Sequence, residues 1–406
     1  MTGPFDVLIV GGGPVGACAA TLLIRGSSNT RSPLRVCLLE PKRPQLPTAG
    51  SPLDSRVVAI SRASERILNS AGAWRSVIGP RVEAYERMRI WHETNSPTDA
   101  LVFDAAEVGE PNLGYIVENR LLQAALLDEF TAVGGQLLSA DFLDLRVDAD
   151  TVAVNTSDGA LSAKLVIGAD GARSAVREAV GLTASVSDFN ETAIVATVAT
   201  ERSHEKTAWQ RFMRDGTLAF LPLADGTSSI VWSADNSLAT RLGALSAAEF
   251  ESELNRASDL ALGATRLASE RSMFPLKRIG AHRYVTQRCA LIGDAAHVVH
   301  PLAGQGVNLG LLDAATLAQV VLDTRTERED PGALRVLRPY ERWRKSEVAF
   351  MSTAIDAFDR FLAHGSGPVS RLAQRGLGWV NRSQELKRLF VSRALGVAGE
   401  LPRVAR

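Results

Sequence analysis

No apolar run in this chain approaches the roughly 18–20 residues that a bilayer-spanning helix requires. Nor does the start read as a secretory leader: Met1 to Asp6 has no basic region, and the apolar run behind it breaks at Gly11. Cysteine is scarce. The three present, Cys18, Cys37 and Cys289, lie far apart and inside apolar runs. That argues against a thiolate metal site and suits buried thiols in a reducing compartment. Charge of neither sign is in excess, with 45 Lys and Arg against 45 Asp and Glu, so no global field draws the chain to nucleic acid. Internal repeats and low-complexity tracts are absent too. These absences leave a soluble cytoplasmic protein as the expectation. With 406 residues, 46% of them hydrophobic, it is long enough for two domains with sizeable cores.

What is there is organised around Cys289 to Val320. A short apolar run, Cys289 to Ile292, reads as a buried strand, and Gly293-Asp294 ends it with a carboxylate at its C-terminal mouth. His297, His300 and Pro301 follow, then a glycine-rich loop at Gly304-Gln305-Gly306, and Asn308 leads into a helix. In open α/β sheets ligands sit outside the carboxyl ends of the strands, and helix N-termini attract anionic groups. Asp294, His297 and His300 resemble a metal trio in composition, but Pro301 and the glycines make the segment a loop, and no metal is expected.

Two further strand mouths have the same texture. Asp6 to Val10 reads as a buried strand before Gly11, Gly13 and Gly16, a G-x-G-x-x-G pattern with Pro14 and Val15 inside it. A helix through Ala17 to Arg25 follows, and the next strand, Leu34 to Leu39, ends in Glu40. Glycine lets a backbone approach a pyrophosphate, and the acid accepts from a ribose hydroxyl, which favours FAD or NAD over NADP. The third mouth closes the strand Leu161 to Ile167 with Gly168-Ala169-Asp170-Gly171-Ala172-Arg173-Ser174. Three such mouths imply a sheet folded around one extended ligand. Between them, Arg56 is either a pyrophosphate partner or a surface ion pair. Asn119 is a candidate cap for a helix with Leu122, Leu126 and Phe130 inward, and Arg120 and Gln123 share its other face.

From about residue 184 the pattern becomes alternating and β-branched: Thr192 to Thr200, then Thr217 to Leu223 and Ser228 to Ser233 around an Asp225-Gly226 turn. This predicts an antiparallel sheet forming a second domain, to which Met88 to His92 adds a strand. Leu245 to Asn255 and Asp259 to Leu267 read as helices, and Phe274 to Ile279 returns the chain to the first domain. Near the C-terminus, Pro339 to Lys345 opens a long helix whose Phe350, Ala354, Phe358 and Phe361 form a core-facing stripe. From Arg371 onward, basic residues alternate with Leu377, Trp379, Leu386 and Phe390. Such an amphipathic segment is either a solvated face or a contact for an anionic lipid surface or a partner protein.

Taken together, these motifs resemble the FAD-dependent aromatic hydroxylases of the p-hydroxybenzoate hydroxylase type, and among them the ubiquinone-biosynthesis hydroxylase family. The resemblance covers essentially the whole chain. Its most specific part is His300 to Asp313, HPLAGQGVNLGLLD. It implies an α/β fold: a discontinuous, Rossmann-like FAD-binding domain (1–75, 101–182, 279–330), an antiparallel-sheet substrate domain (76–100, 183–278) and C-terminal helices (331–406). It implies that Gly11, Gly13, Pro14, Val15, Gly16 and Glu40 hold the ADP half of FAD. Asp170 and Gly171 would lie near the pyrophosphate, in a motif linked to use of reduced nicotinamide, with Gly293 and Asp294 on the ribityl chain. Arg56, Arg120 and Gln123 also fall where the family contacts FAD, and Pro301, Gly304, Gly306, Val307 and Asn308 would lie near the flavin ring. The connection from Gly26 to Pro33 is longer and more polar than in the shortest members, which affects only a surface loop.

The implied reaction is O2-dependent hydroxylation of the aromatic ring of a polyprenylated ubiquinone precursor, with NAD(P)H or another donor as reductant. The cofactor carries the hard step, while the protein positions it and excludes water, and no side chain stands out as a catalytic base. Peripheral contact with the inner membrane surface or a biosynthetic complex through the basic C-terminal helices is implied, and oligomerisation stays open. A hydroxylase of a soluble phenol and a non-catalytic FAD-fold scaffold are the alternative readings.

Overall fold

The computed structural model describes residues 4–28, 30, 32–48, 50–300, 304–326, 329–362, 396 and 399–406. Its N-terminal part runs β1 (Phe5–Val10), α1 (Pro14–Ser27), β2 (Val36–Leu39), β3 (Val57–Ile60), α2 (Arg62–Ser70), α3 (Trp74–Val77), β4 (Glu83–Tyr85), β5 (Arg87–His92), β6 (Leu101–Asp104), β7 (Gly114–Glu118) and α4 (Asn119–Ala132). The middle continues with β8 (Gln136–Leu138), β9 (Phe142–Val147), β10 (Val152–Thr156), β11 (Gly159–Gly168), α5 (Ala175–Ala179), β12 (Ala184–Thr200), β13 (Thr207–Met213), β14 (Gly216–Pro222) and β15 (Ser228–Asp235). The last part holds α6 (Asn236–Ala244), α7 (Ala247–Ala257), β16 (Thr265–Leu267), β17 (Ser272–Ala281), β18 (Val285–Thr286), β19 (Cys289–Leu291), β20 (His297–Val298), α8 (Gln305–Thr326) and α9 (Leu334–Leu362).

The strands form three sheets. In the first, β19, β11, β1, β2 and β8 lie side by side and parallel. β1, β2 and β19 are wholly or almost wholly buried apolar runs, as a sheet covered on both faces requires. The three glycine-ended strands, β19, β11 and β1, are direct neighbours, so their mouths open side by side. The small residues of α1 let it pack against this sheet, with Ala17, Cys18 and Ala20 fully buried, and α8 packs against α1. A second sheet of nine strands runs β20-β17-β12-β15-β14-β13-β5-β6, with β16 on β12. It is antiparallel except where β5 joins β13 in parallel. The third sheet is β3-β7-β4.

Several expectations change. Asp259 to Leu267 is not a helix: Asp259 and Leu260 have φ of 54° and 49°, and Thr265–Leu267 is an edge strand on β12. The Asn255 side chain fixes that turn by accepting from both the amide and hydroxyl of Thr265 at 2.8 Å. Asn119 does not cap α4; Glu118 holds that position without a side-chain cap. Phe274 to Ile279 lies within β17 of the nine-stranded sheet. That sheet also takes in β6, which starts one residue beyond the boundary at 100 expected from sequence. α9 begins at Leu334, so Pro339 stands inside its first two turns.

Phe350 is not a core residue but 50% exposed. The side chains of Phe358 and Phe361, and the basic residues Arg371 to Arg393, lie outside the described residues. Of the expected basic tail, Arg403 pairs with Asp323 and donates its amide to Gln319 at 2.8 Å, which brings this end of the chain against α8. No helix among the described residues is long and apolar enough to cross a membrane.

Candidate active site

A cavity of about 1380 Å³ runs from the carboxyl ends of the parallel strands to one face of the nine-stranded sheet. At its first end the backbone approaches closely. Gly11 has φ of 103°, and a Cβ there would meet the Ala169 carbonyl oxygen at 2.4 Å. A Cβ on Gly16 would lie 2.0 Å from the Gly11 oxygen. Gly11 and Gly16 thus shape the turn, whereas Gly13, Pro14 and Val15 line the cavity itself. An added Cβ on Gly13 meets nothing within 4 Å, so this glycine leaves open space over the start of α1, whose N-cap makes no side-chain bond. Glu40 turns back to accept from the Gly12 amide at 2.8 Å. Gln123 is no solvated face residue; it donates to the Gly12 carbonyl at 3.0 Å and reaches the cavity.

Arg56 lines the cavity from a loop that Glu118 fixes. Glu118, only 1% exposed, accepts from the Asp54 amide at 2.8 Å and from Arg81 at 2.7 and 2.8 Å. Arg120 does not reach the cavity wall; its nearest acid is Asp54 at 3.6 Å. Asp170 serves the turn rather than the cavity. It accepts from the Ser174 hydroxyl at 2.5 Å and from the Val176 amide at 3.0 Å, at the start of α5. Its neighbour Gly171, with φ of 82°, lines the wall beside Arg173.

The third mouth is the most constrained. Gly293 has φ of 58° and donates its amide to the Asp313 carboxylate at 3.0 Å. This turn presents Asp294 to the cavity, with no hydrogen bond from another described residue. The carboxylate is open to solvent through the cavity but enclosed by protein elsewhere. Burial raises its pKa above the usual carboxylate value, against the opposing pull of His297 and Arg56. Gly304, Gly306 and Val307 line the cavity at the N-terminus of α8. Asn308 is absent from the lining. Only 3% exposed, it accepts from the Ser61 amide at 3.0 Å and donates to the Ala59 carbonyl at 2.9 Å, tying α8 to the end of β3. Pro301 lies outside the described residues.

Beneath Gly293 lies a buried group that sequence reasoning passed over. Asp313, with no exposure, accepts from His297 Nε2 at 2.6 Å and from Arg344 Nε at 2.7 Å. Burial alone would raise its pKa, but His297 and Arg344 outweigh that and hold the carboxyl below the usual range. The signal was present: Asp313 is a lone acid in an apolar helical run, which demands a partner from elsewhere in the chain. His300 pairs separately with Glu191 at 2.9 Å. The two histidines therefore serve two different carboxylates.

The residues present fit an anionic dinucleotide. Two helix N-termini, those of α1 and α8, abut the cavity, the cations Arg56, Arg173 and Lys277 line it, and Gly13 leaves its backbone uncovered there. Gly13 with the start of α1, Asp294, and Gly306 with Val307 are the groups able to hold such a ligand. Beyond them the wall turns apolar.

Comparison with known proteins agrees with this geometry. The family described as FAD binding domain matches residues 4–346. A ubiquinone hydroxylase of Rhodospirillum rubrum is 38% identical over 99% of this chain and 92% of its own length. The 3-demethoxyubiquinol 3-hydroxylase of Escherichia coli is 34% identical over 97% and 99%. Among solved structures, the p-nitrophenol 4-monooxygenase of Pseudomonas putida superposes with a TM-score of 0.77 at 22% identity, covering 97% of this chain and 99% of that one. At that identity the likeness concerns the fold.

Proposed function

The chain belongs to the family of FAD-dependent ubiquinone-biosynthesis hydroxylases, and from that premise we propose that it hydroxylates the aromatic ring of a polyprenylated phenol, using FAD, O2 and a reductant. The observation that carries the reading is the continuity of one cavity from the glycine mouths to the apolar face of the nine-stranded sheet. A dinucleotide and a greasy ring can thus meet inside it. FAD, when bound and reduced, supplies the chemistry that activates O2 and delivers one oxygen atom to the ring.

The remaining roles fall to this chain's own groups. The open backbone at Gly13 and the start of α1 take the pyrophosphate, with Arg56 as a nearby cation. Asp294 accepts from a hydroxyl of the ribityl chain, while Gly171 and Arg173 flank the pyrophosphate. The amides of Gly306 and Val307, at the N-terminus of α8, favour negative charge on the reduced ring. The sheet face excludes water from the reacting atoms, and the half-exposed Phe274 and Phe350 on the cavity wall suit an isoprenoid tail leaving the site.

The parallel-sheet part then serves as the FAD domain and the nine-stranded sheet as the substrate domain. NAD(P)H or another donor supplies electrons. Contact with a membrane surface or a biosynthetic complex belongs to the C-terminal region of the chain. A strain lacking the gene is expected to accumulate an under-hydroxylated prenylated precursor, detectable by mass spectrometry. Normal quinone with no such precursor would sink the proposal.

A further inference from the structure

Across the cavity face of the nine-stranded sheet, strand register sets six residues in one row: Leu101, Ile90, Gln210, Ala219, Val231 and Val195. All six line the cavity. Five are apolar and one is a carboxamide. Gln210 is 4% exposed, and among the described residues nothing hydrogen-bonds its side chain. A carboxamide carries two donors and an acceptor, and leaving it unpaired against apolar neighbours is unfavourable unless a ligand answers it. Its partner Ala219 is small, so space stands over that side of the amide. One row away, Ser229 also lines the wall, with a fully buried hydroxyl that has no partner.

Resting on the function proposed above, we propose that Gln210 is the specificity-determining residue that hydrogen-bonds an uncharged oxygen substituent, a phenol hydroxyl or an alkoxy group, on the substrate ring. The carboxamide suits such a group because it can both give and accept. A carboxylated ring is disfavoured, because the row contains no cation to neutralise it. The apolar residues either side of Gln210 hold the ring by area, and the amide sets which ring edge faces inward. Gln210 thus selects among rings by a bond that a ring without oxygen cannot make.

The test uses the FAD-loaded protein and reads ligand binding from the change in its flavin absorption spectrum, with no turnover required. Three probes are titrated: a geranylated phenol, geranylbenzene, and a geranylated hydroxybenzoate. The parent is expected to bind the phenol about tenfold or more tightly than geranylbenzene, a margin of one good hydrogen bond, and to bind the carboxylated probe least well. Gln210→Met keeps the side chain's length and removes its polarity; it should bind the phenol and geranylbenzene alike, with flavin content unchanged. Gln210→Ala, smaller still, should lose the same discrimination and guards against a packing artefact of the methionine. Discrimination that survives in both variants, or a parent that takes the carboxylated ring as readily, overturns the role of Gln210 and leaves the hydroxylase reading standing. A parent whose flavin responds to none of the probes removes the substrate class, and the role of Gln210 with it.

Discussion

Arg344 reaches from α9 to donate its Nε to the Asp313 carboxylate on α8 at 2.7 Å, and neither side chain meets solvent: they are 1% and 0% exposed. The same carboxylate holds the Gly293 amide. A charge pair between two helices therefore anchors the turn that presents Asp294 to the cavity. Arg344→Met leaves Asp313 buried with only His297 to balance it. Removing one partner of a buried pair costs about 3–5 kcal/mol. Thermal unfolding should move to markedly lower temperature, and FAD content should fall because the Gly293 turn loosens. The double variant Asp313→Leu/Arg344→Met removes the unpaired charge but leaves the Gly293 amide and His297 without their acceptor, so it should recover only part of the melting temperature and none of the FAD retention. A single variant that melts like the parent would remove the anchor role.

The depressed pKa of Asp313 gives a pH signature. Its folded value lies below the unfolded value of about 3.9, so its contribution is fully present above that pH. It is lost as pH falls through the folded value. Urea unfolding measured from pH 5 downward should show a steeper acid-side loss in the parent than in Asp313→Asn. Parallel curves would exclude a net stabilising charge at this position.

Asp294 has the opposite sign. Its folded pKa is raised by burial, so ionisation above the unfolded value burdens the FAD-free fold. Asp294→Asn should therefore raise the melting temperature of the FAD-free protein near neutral pH, with the gain fading as pH approaches about 4. Asp294→Ala should weaken FAD retention by about 1–3 kcal/mol, since a ribityl hydroxyl loses its acceptor. Equal flavin content in variant and parent after desalting would count against this role.

The glycines separate folding from binding. Gly16→Ala drives a methyl into the Gly11 carbonyl and should destabilise the protein itself by about 1–3 kcal/mol. Gly13→Ala has a permitted φ of −61° and no neighbour within 4 Å. It should fold and melt like the FAD-free parent yet retain less FAD. Loss of folding in Gly13→Ala would show that the space above it is not kept for a ligand.

Much of the fold was legible because its signals are local. β1, β11 and β19 each announced themselves as apolar runs ended by glycine, and they lie adjacent in the sheet. The register of β12 was less visible. Its 17 residues pair with β17 along two separate stretches, with a shift between Asp188 and Thr192, and nothing within the strand marks that shift. Asp259 to Leu267 misled because apolar spacing suited a helix, while the turn depends on the Asn255 side chain reaching ahead to Thr265. In the site, residues that face the cavity through backbone turns were found from glycine spacing. Asn308 and Asp170 were found too, but their side chains serve the scaffold. Asp313, Arg344 and Gln210 were missed as functional candidates because their importance comes from partners, or from a strand row, far away in sequence.

The bond from Asn308 to Ser61 spans 247 residues, and that length is also a time. At roughly 5–20 residues per second, a ribosome takes about 10–50 s to make the chain between those two ends. For that interval β3 and α2 are exposed without the helix that packs on them, and the Gly11–Gly16 turn has emerged without Gly293, which lies against Val15 within it. The cavity wall is therefore complete only after α8 has been made, and until then the surfaces of β3 and α2 that α8 covers are open to association with other chains.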